Sequence, residues 1–114
     1  MIFDNIEDFF GAMPAFQGLA GLDLGDKTIG VSVSDTFQSI ATPLETIKRR
    51  KFSLDAARLA EIVAARSIGG LILGFPRNMD GTEGPRCQST RSFARNLERL
   101  DAFKNIPIAF WDER

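Results

Sequence analysis

Residues 21–35 read GLDLGDKTIGVSVSD, and this stretch predicts a pair of strands joined by a short turn. Its second half alternates the apolar Ile29, Val31 and Val33 with small or polar residues. That period of two is typical of a strand with one buried face. The Gly-Asp-Lys sequence before it predicts the turn, and residues 19–24 predict the strand that leads into it. We therefore expect an antiparallel hairpin.

Asp23 is the unusual residue of this hairpin. It lies on the face of the first strand opposite Leu22 and Leu24. An ionised carboxylate is costly to bury unless it is paired or binds a metal. From the spacing alone two interpretations are open: Asp23 caps the turn at Gly25, or it is a metal ligand.

The rest of the chain predicts a mixed α/β fold. A third extended segment at 39–47 contains Pro43, which suits an edge strand. Ser53 is placed to cap a helix that ends before Gly69. The remaining predicted elements are a short buried strand at 71–73 stopped by Pro76, a loop at 77–84, a helix through Leu100 and a last strand at 107–111. Strands separated by helices are parallel, so this β-β-β-α-β-α-β order predicts a mixed five-stranded sheet.

The domain organisation is predicted to be simple. Residues 1–18 form an N-terminal extension with one short helix ending near Gly11, and residues 19–114 form a single domain. No helix follows the last strand to cover the sheet. The bare face is therefore covered by the extension or by a partner, or the chain is a truncated piece of a longer protein.

Composition excludes several kinds of site. The chain has no histidine and one cysteine, Cys87, which excludes a Ser-His-Asp or Cys-His mechanism within it and the usual zinc site. A lone cysteine suits a reducing cytoplasm. The net charge of -1 does not indicate the overall basic field that is typical of many nucleic-acid-binding proteins, although a local basic patch can still bind nucleic acid. No segment is typical of a signal peptide or a membrane span, so we expect no membrane partner.

Acidic residues at strand ends are the first candidates for chemistry. Asp23 and the pair Asp112-Glu113 lie at the carboxyl ends of the first and last strands, where open α/β sheets bind ligands. If those strands are neighbours, the carboxylates can hold Mg²⁺ together with water and a substrate phosphate. Two such metal ions activate water and stabilise the leaving oxygen in phosphodiester cleavage. The alternative is that the terminal acids are merely solvated.

Further candidates would contact anions or nucleic acid. The loop at 76–85 leads into the second helix, and its backbone amides, with Thr82 near the N-cap, can form an anion site or a plain connection. Basic side chains form two groups that either follow a phosphate backbone or face solvent. These groups are Lys48, Arg49, Arg50 and Lys51 after the third strand, and Arg91, Arg95 and Arg99 on the second helix. Cys87 and Trp111 are expected to be packing residues.

Four motifs together resemble the YqgF/RuvX family of bacterial proteins, which belongs to the RNase H-like superfamily. They are GLDLGDKTIGVSVSD at 21–35, ATPLETI at 41–47, LILGFPRNMDGTEGP at 71–85 and FWDER at 110–114. NMDGTEG followed by WDER is highly specific, whereas the LDLG strand alone is not. The resemblance implies an RNase H-like mixed sheet and a nuclease that uses Mg²⁺ or Mn²⁺. Members of the family are described as Holliday junction resolvases and as the nuclease that matures the 5′ end of pre-16S rRNA.

The resemblance also implies roles for individual residues. Asp23 matches the family's first acid and Glu113 its second acid, both as metal ligands, with Asp112 beside Glu113 as a further catalytic candidate. The residues that match the family loop near the substrate are Asn78, Asp80, Thr82 and Glu83. The family's third acid lies on a helix after the DER motif, beyond these 114 residues.

Three functions are open on this evidence. The first is a nuclease for structured RNA, as in ribosomal precursor particles, or for branched DNA. The second is a nucleic-acid-binding module without catalysis, because the third acid is absent from these residues. The third is a phosphate-binding ATPase module, since a similar strand pair opens sugar kinases and actin, but those proteins need two such domains and this chain is too short. The sequence leaves open whether the protein is a monomer or a homodimer.

Overall fold

The computed structural model describes residues 1–34 and 41–113. Its strands are β1 (Ile2–Phe3), β2 (Gly18–Leu24), β3 (Thr28–Ser34), β4 (Ala41–Lys48), β5 (Ile68–Phe75) and β6 (Ile108–Asp112). Its helices are α1 (Ile6–Ala12), α2 (Phe52–Ala65) and α3 (Pro85–Glu98), with a 3₁₀ turn at Asp101–Phe103. None of the helices in the described part of the chain is long and apolar enough to cross a membrane.

The strands form one mixed sheet in the order β1-β6-β5-β2-β3-β4. The pairs β2/β3 and β3/β4 are antiparallel, whereas β2/β5, β5/β6 and β1/β6 are parallel. The predicted hairpin, meander and parallel strands are confirmed. The number of strands is corrected from five to six, because Ile2 and Phe3 add a short strand beside β6. A two-residue strand is too short to produce a periodic pattern, so the sequence contained no signal for it.

The edge position predicted from Pro43 is confirmed, because β4 ends the sheet order. The pairing register between β3 and β4 shifts next to this proline: Val31 pairs with Glu45, but Ser32 pairs with Pro43. Leu44 is therefore the extra residue of a β-bulge. Pro43 has no N–H to donate, and it is tolerated because a residue at a bulge in an edge strand does not need that hydrogen bond. Residues 39–40 of the predicted segment lie outside the described residues.

The hydrophobic core lies between one face of the sheet and the helices α2 and α3. Alternate residues of the central strands are buried on this face, as the period of two in β3 predicts. The largest fully buried side chains of this core are Ile29, Leu59, Leu71, Leu73, Leu97, Phe103 and Ile108. Cys87 is fully buried, as expected for a packing residue.

The opposite face of the sheet is only partly covered. The helix α1 covers the part near the start of β5, where a Cβ atom on Gly70 would lie 2.7 Å from the ring of Phe9. Phe9 is fully buried by this contact with the sheet. The N-terminal extension therefore covers one end of the bare face and leaves the end near the carboxyl termini of β2 and β5 open.

Two local expectations about α2 and β5 are wrong. Ser53 is not the cap of α2, because the N-cap is Lys51 and the carboxylate of the buried Asp55 accepts hydrogen bonds from the backbone N–H of Arg50 at 3.1 and 3.3 Å. The strand predicted at 71–73 spans Ile68–Phe75, so Gly69 lies inside it. Three glycines lower the strand propensity of this segment, which is paired on both edges, with β2 and with β6.

Candidate active site

The uncovered face of the sheet forms a groove of about 470 Å³. It is open because several residues that point into it are glycines. A Cβ atom on Gly21 would lie 2.9 Å from the hydroxyl of Ser32, so a larger residue at this position would displace that hydroxyl. The groove is lined by residues of β2, β3, β4, β5 and β6: Gly21, Leu22, Asp23, Gly30, Val31, Ser32, Pro43, Leu44, Glu45, Thr46, Ile72, Gly74, Trp111 and Glu113.

Asp23 and Glu113 meet in this groove from opposite sides. Asp23 is exposed near the carboxyl end of β2. Glu113 directly follows β6, where its backbone N–H donates to the carbonyl of Phe75 at 3.1 Å. Its carboxylate lies against Gly74, where a Cβ atom would be only 2.6 Å away.

The strands that carry the two acids are not neighbours, contrary to the condition set from the sequence. The strand β5 lies between β2 and β6. The acids nevertheless interact, because Gly74 on β5 has no side chain to separate them. The pKa of Glu113 is raised, first by burial against the sheet and second by the negative charge of Asp23.

The two carboxylates fit a hard divalent cation. Within residues 1–34 and 41–113, neither takes part in an ion pair, and their mutual repulsion is left without a cationic partner. Mg²⁺ and Mn²⁺ prefer carboxylate oxygens and keep several waters, so two acids with open access to solvent suit them. No group of three acidic, histidine or cysteine side chains that could hold a metal occurs among these residues.

Asp112 does not join the two acids in the groove. Successive residues of a strand point to opposite faces, so Asp112 lies on the helix side of the sheet while Glu113 lies on the groove side. Asp112 lines a separate cleft of about 430 Å³ together with Asp4, Arg77 and Arg91. The predicted acidic pair is therefore divided between two surfaces.

The loop after β5 is held by its own hydrogen bonds. The backbone of Asn78 forms two hydrogen bonds across the turn. Its N–H donates to the Thr82 carbonyl at 2.9 Å, and its carbonyl accepts from the Gly81 N–H at 2.9 Å. The carboxylate of Asp80 accepts from both the N–H and the hydroxyl of Thr82, at 2.9 and 2.6 Å. Gly81 has a φ of 88°, a backbone conformation that favours glycine.

Three backbone N–H groups of this loop are used by internal bonds, and the choice between an anion site and a plain connection stays a prediction. The N–H groups of Asn78, Gly81 and Thr82 all donate within the loop, so they do not point at a ligand. Thr82 lies two residues before the N-cap of α3, as expected, and the N-cap itself is Gly84, with Pro85 at the first helical position. Proline suits that position because an N–H there would have no hydrogen-bond partner within the helix, so nothing is lost by its absence.

Glu83 and Arg91 form a paired contact between the loop and α3. The guanidinium of Arg91 donates to both carboxylate oxygens of Glu83 at 2.8 Å. It also lies over the rings of Phe75 and Phe110, at 4.8 and 5.1 Å from their centroids. The hydrogen bonds from Arg91 lower the pKa of Glu83. Arg91 therefore joins the loop, the helix and the sheet, whereas Arg95 is exposed and its guanidinium donates to the Ser92 hydroxyl at 3.2 Å.

The basic run at the end of β4 lies beside the first turns of α3. Lys48, Arg49, Arg50 and Lys51 are all exposed. Arg49 donates to the carbonyl of Gly25 at 2.7 Å and lies 5.7 Å from the ring centroid of Phe93. Arg49 and Arg50 line a cleft that also contains Arg86.

Two residues of these surfaces were not identified from the sequence. Trp111 is not a packing residue as expected, since 59% of it is exposed and it lines the groove beside Glu113. Arg86 is a single arginine outside both basic groups, and only the fold brings it to the basic run. The alternation along β6 could have placed Trp111 on the face of Glu113, because the two are separated by one residue.

A family model described as "RuvX: Holliday junction resolvase" matches residues 17–114. The chain belongs to this family. Relatives in the RuvX family are similar along the full length of the chain. A protein of Roseobacter denitrificans is 66% identical and one of Ruegeria pomeroyi is 63% identical, and both carry the name "Putative pre-16S rRNA nuclease". All 114 residues are matched, and they span 69% and 72% of those two proteins.

Solved structures with a similar fold share little sequence with this RuvX family chain. Thermus thermophilus RuvC in complex with a Holliday junction substrate has a TM-score of 0.57 at 16% identity, over 84% of this chain and 64% of RuvC. Archaeoglobus fulgidus Pelota has a TM-score of 0.51 at 14% identity, over 93% of this chain and 28% of Pelota. The likeness to RuvC confirms the predicted RNase H-like fold.

Proposed function

We propose that this chain carries the metal-binding part of a nuclease that hydrolyses phosphodiester bonds. The observation that supports it is that Asp23 and Glu113 line one groove that is open to solvent, with the Glu113 carboxylate over Gly74. Two interacting carboxylates without an ion-pair partner among the described residues are suited to Mg²⁺ or Mn²⁺. When bound, such a cation activates water and neutralises charge on the phosphate under attack.

The side chains of the groove would have separate tasks in this function. Asp23 and Glu113 would hold the cation and thereby place a phosphate between β2 and β6. Gly30 and Gly74 let the side chains of Asp23 and Glu113 lie against the sheet, 3.6 and 2.6 Å from where Cβ atoms of the two glycines would be. Trp111 exposes its ring beside Glu113, and an exposed aromatic ring is a platform on which a base can stack.

The substrate we propose is precursor 16S rRNA, processed at its 5′ end in the cytoplasm during ribosome assembly. The names of the relatives from Roseobacter and Ruegeria support this choice. Ribosomal precursor particles would then be the partners. The description of the family model supports a second candidate, a Holliday junction in DNA. Neither the names of these relatives nor the description of the family model supports a phosphate-binding ATPase module. The predicted contributions of Asp112, and of Asn78, Asp80, Thr82 and Glu83 near the substrate, stay predictions.

The decisive experiment compares Asp23→Asn with the parent chain. We expect the parent to cleave an end-labelled pre-16S rRNA fragment in the presence of Mn²⁺, and Asp23→Asn to be slower by about 100-fold or more, because a lost metal ligand removes several kcal/mol of transition-state stabilisation. Asp8→Asn is the matched control, since Asp8 is an exposed acid on α1 outside the groove. A labelled four-way DNA junction tests the second candidate in parallel.

The outcomes separate three functions. Cleavage of RNA alone, lost in Asp23→Asn, supports the rRNA nuclease, and cleavage of the junction supports the resolvase. Nucleic-acid binding without cleavage of either substrate under Mg²⁺ or Mn²⁺ would contradict the nuclease and favour a binding module. Equal cleavage by Asp23→Asn and the parent would contradict the metal site.

A further inference from the structure

A second cleft lies at the same end of β2 as the acidic groove. It has a volume of about 390 Å³ and is formed by the turn after β2, the basic run after β4 and the first turns of α3. Its polar lining consists of Asp26, Arg49, Arg50, Arg86, Ser89 and Thr90. Three arginines against one carboxylate give this cleft a net positive charge, although the chain as a whole carries -1.

The arginines of the cleft differ in how they are held. Arg49 is fixed by its hydrogen bond to the Gly25 carbonyl and by the ring of Phe93. Arg50 and Arg86 are exposed, and neither guanidinium forms an ion pair with another residue of the described chain. Arginines that no carboxylate neutralises are available to an incoming phosphate, which a guanidinium can bind through two parallel hydrogen bonds.

The cleft adjoins the acidic groove through consecutive residues. Asp23 lines the groove and Leu24 lines the cleft, and the Cα atoms of neighbouring residues are about 3.8 Å apart. The two recesses therefore lie back to back across the end of β2. A flexible chain that leaves the groove would cross the turn at Gly25 and Asp26 to reach the cleft.

The cleft continues along α3 as a second recess of about 400 Å³. The two recesses share Arg49 and Ser89, and the second one adds the polar Gln88, Ser92 and Asn96 beside the rings of Phe52 and Phe93. These uncharged side chains can donate and accept hydrogen bonds. A charged cleft followed by neutral polar groups is typical of a surface that tracks a sugar-phosphate backbone, where most contacts position the strand without reading its bases.

We infer that the arginine cleft binds a phosphate of the same nucleic-acid strand whose scissile phosphate lies at Asp23 and Glu113, and that the flanking nucleotides follow α3. This inference rests on the proposed nuclease function for the identity of the ligand. It adds Arg86 to the basic run as a binding residue. It also defines a path for the nucleic-acid strand over the protein surface, from the groove across the end of β2 toward α3.

The test measures binding and salt dependence with Arg50→Gln, Arg86→Gln and the double variant, each in an Asp23→Asn background that prevents cleavage. A fluorescently labelled single-stranded RNA and a DNA of the same sequence are titrated by anisotropy between about 50 and 200 mM salt. We expect the double variant to bind about 10-fold more weakly at low salt, and its salt slope to fall by about 0.7 to 1, because one phosphate contact is lost.

Arg66→Gln is the matched control. Arg66 is also an exposed arginine, but it follows the far end of α2, about 20 Å along the helix axis from Arg50. We expect it to bind like the parent. Since all three arginines are exposed, the thermal unfolding midpoint is measured for each variant and is expected to stay unchanged.

The inference is overturned if the double variant keeps the parent affinity and salt slope for both RNA and DNA, if Arg66→Gln weakens binding equally, or if the parent binds neither nucleic acid. Weaker binding to RNA only, or to both, supports it. Binding that depends on the arginines in a parent that cleaves nothing would support the cleft and contradict the nuclease. Cleavage that depends on Asp23 but not on the arginines would do the reverse.

Discussion

The carboxylate of Glu113 occupies the space where residue 74 would have a side chain, with its oxygens 2.6 and 2.7 Å from the position of a Cβ atom on Gly74. This contact explains how acids from two strands that are not paired act on each other. Any side chain on the middle strand at this point would separate them. The glycine is therefore as much a part of the site as the acids.

Gly74→Ala is expected to abolish the site without unfolding the protein. The methyl group would meet the flexible end of the Glu113 side chain, which can move away at small cost to stability. We expect the unfolding midpoint to change little and the affinity for Mn²⁺, measured by calorimetry, to fall by about 10-fold or more.

Gly11→Ala is the control for this substitution, because a Cβ atom there meets no other atom within 4 Å. It is expected to leave Mn²⁺ affinity unchanged. Unaltered affinity in Gly74→Ala would show that Glu113 does not bind the metal from its present position.

Acid should weaken metal binding at a higher pH than is usual for carboxylates. A divalent cation binds the deprotonated form, so protons compete as the pH falls through the pKa of Glu113. Burial and the charge of Asp23 raise that pKa, so the competition begins above the usual range for glutamate. In Asp23→Asn the second cause is removed, and the pKa of Glu113 is expected to fall.

The measurement is an NMR titration of the Glu113 side-chain carboxyl carbon in metal-free buffer. Asp101→Asn, an exposed acid at the 3₁₀ turn, serves as the control and should leave the pKa unchanged. An identical titration curve in the parent and in Asp23→Asn would mean that the two acids do not interact.

Arg91→Ala is expected to lower the thermal stability by several degrees. It removes the paired hydrogen bonds to Glu83 and the contacts with the rings of Phe75 and Phe110, which together hold the loop to the sheet. Circular dichroism melting is the measurement. Arg95→Ala is matched to it one helical turn further on, where the side chain is exposed, and it should melt like the parent. Equal melting of both variants would assign no structural role to Arg91.

The start of α2 offers a test of the corrected cap. Asp55→Ala is expected to destabilise the protein by about 1 to 2 kcal/mol, because the backbone N–H of Arg50 loses its acceptor. Ser53→Ala should change the free energy of unfolding far less, since Ser53 makes no capping hydrogen bond. Chemical denaturation of the two variants compares them. A larger loss in Ser53→Ala would restore Ser53 as the cap.

Local patterns in the sequence were sufficient for most of the elements. The alternation of Ile29, Val31 and Val33 predicted β3, and Pro43 predicted an edge strand, because both signals act through neighbouring residues. Where local signals compete, they misled. Ser53 is a good capping residue by type, but a carboxylate two positions later reaches the same turn. Glycines 69, 70 and 74 concealed the length of β5. A side chain at these positions would collide with Gln17, Phe9 and Glu113, which come from distant parts of the sequence, so no local pattern explains the glycines.

The sequence by itself determined the family, the mixed α/β order and the candidacy of Asp23 and Glu113, because these depend on residue types at short spacing. Only the tertiary structure decided which acids meet. Strand order placed β5 between them, the missing side chain of Gly74 let Glu113 cross it, and the alternation of β6 sent Asp112 to the other face. The same packing brought Arg86 to the basic run, 36 residues after Arg50. Such contacts between distant residues depend on the order of the strands in the sheet and on helix packing, and no local sequence pattern predicts these.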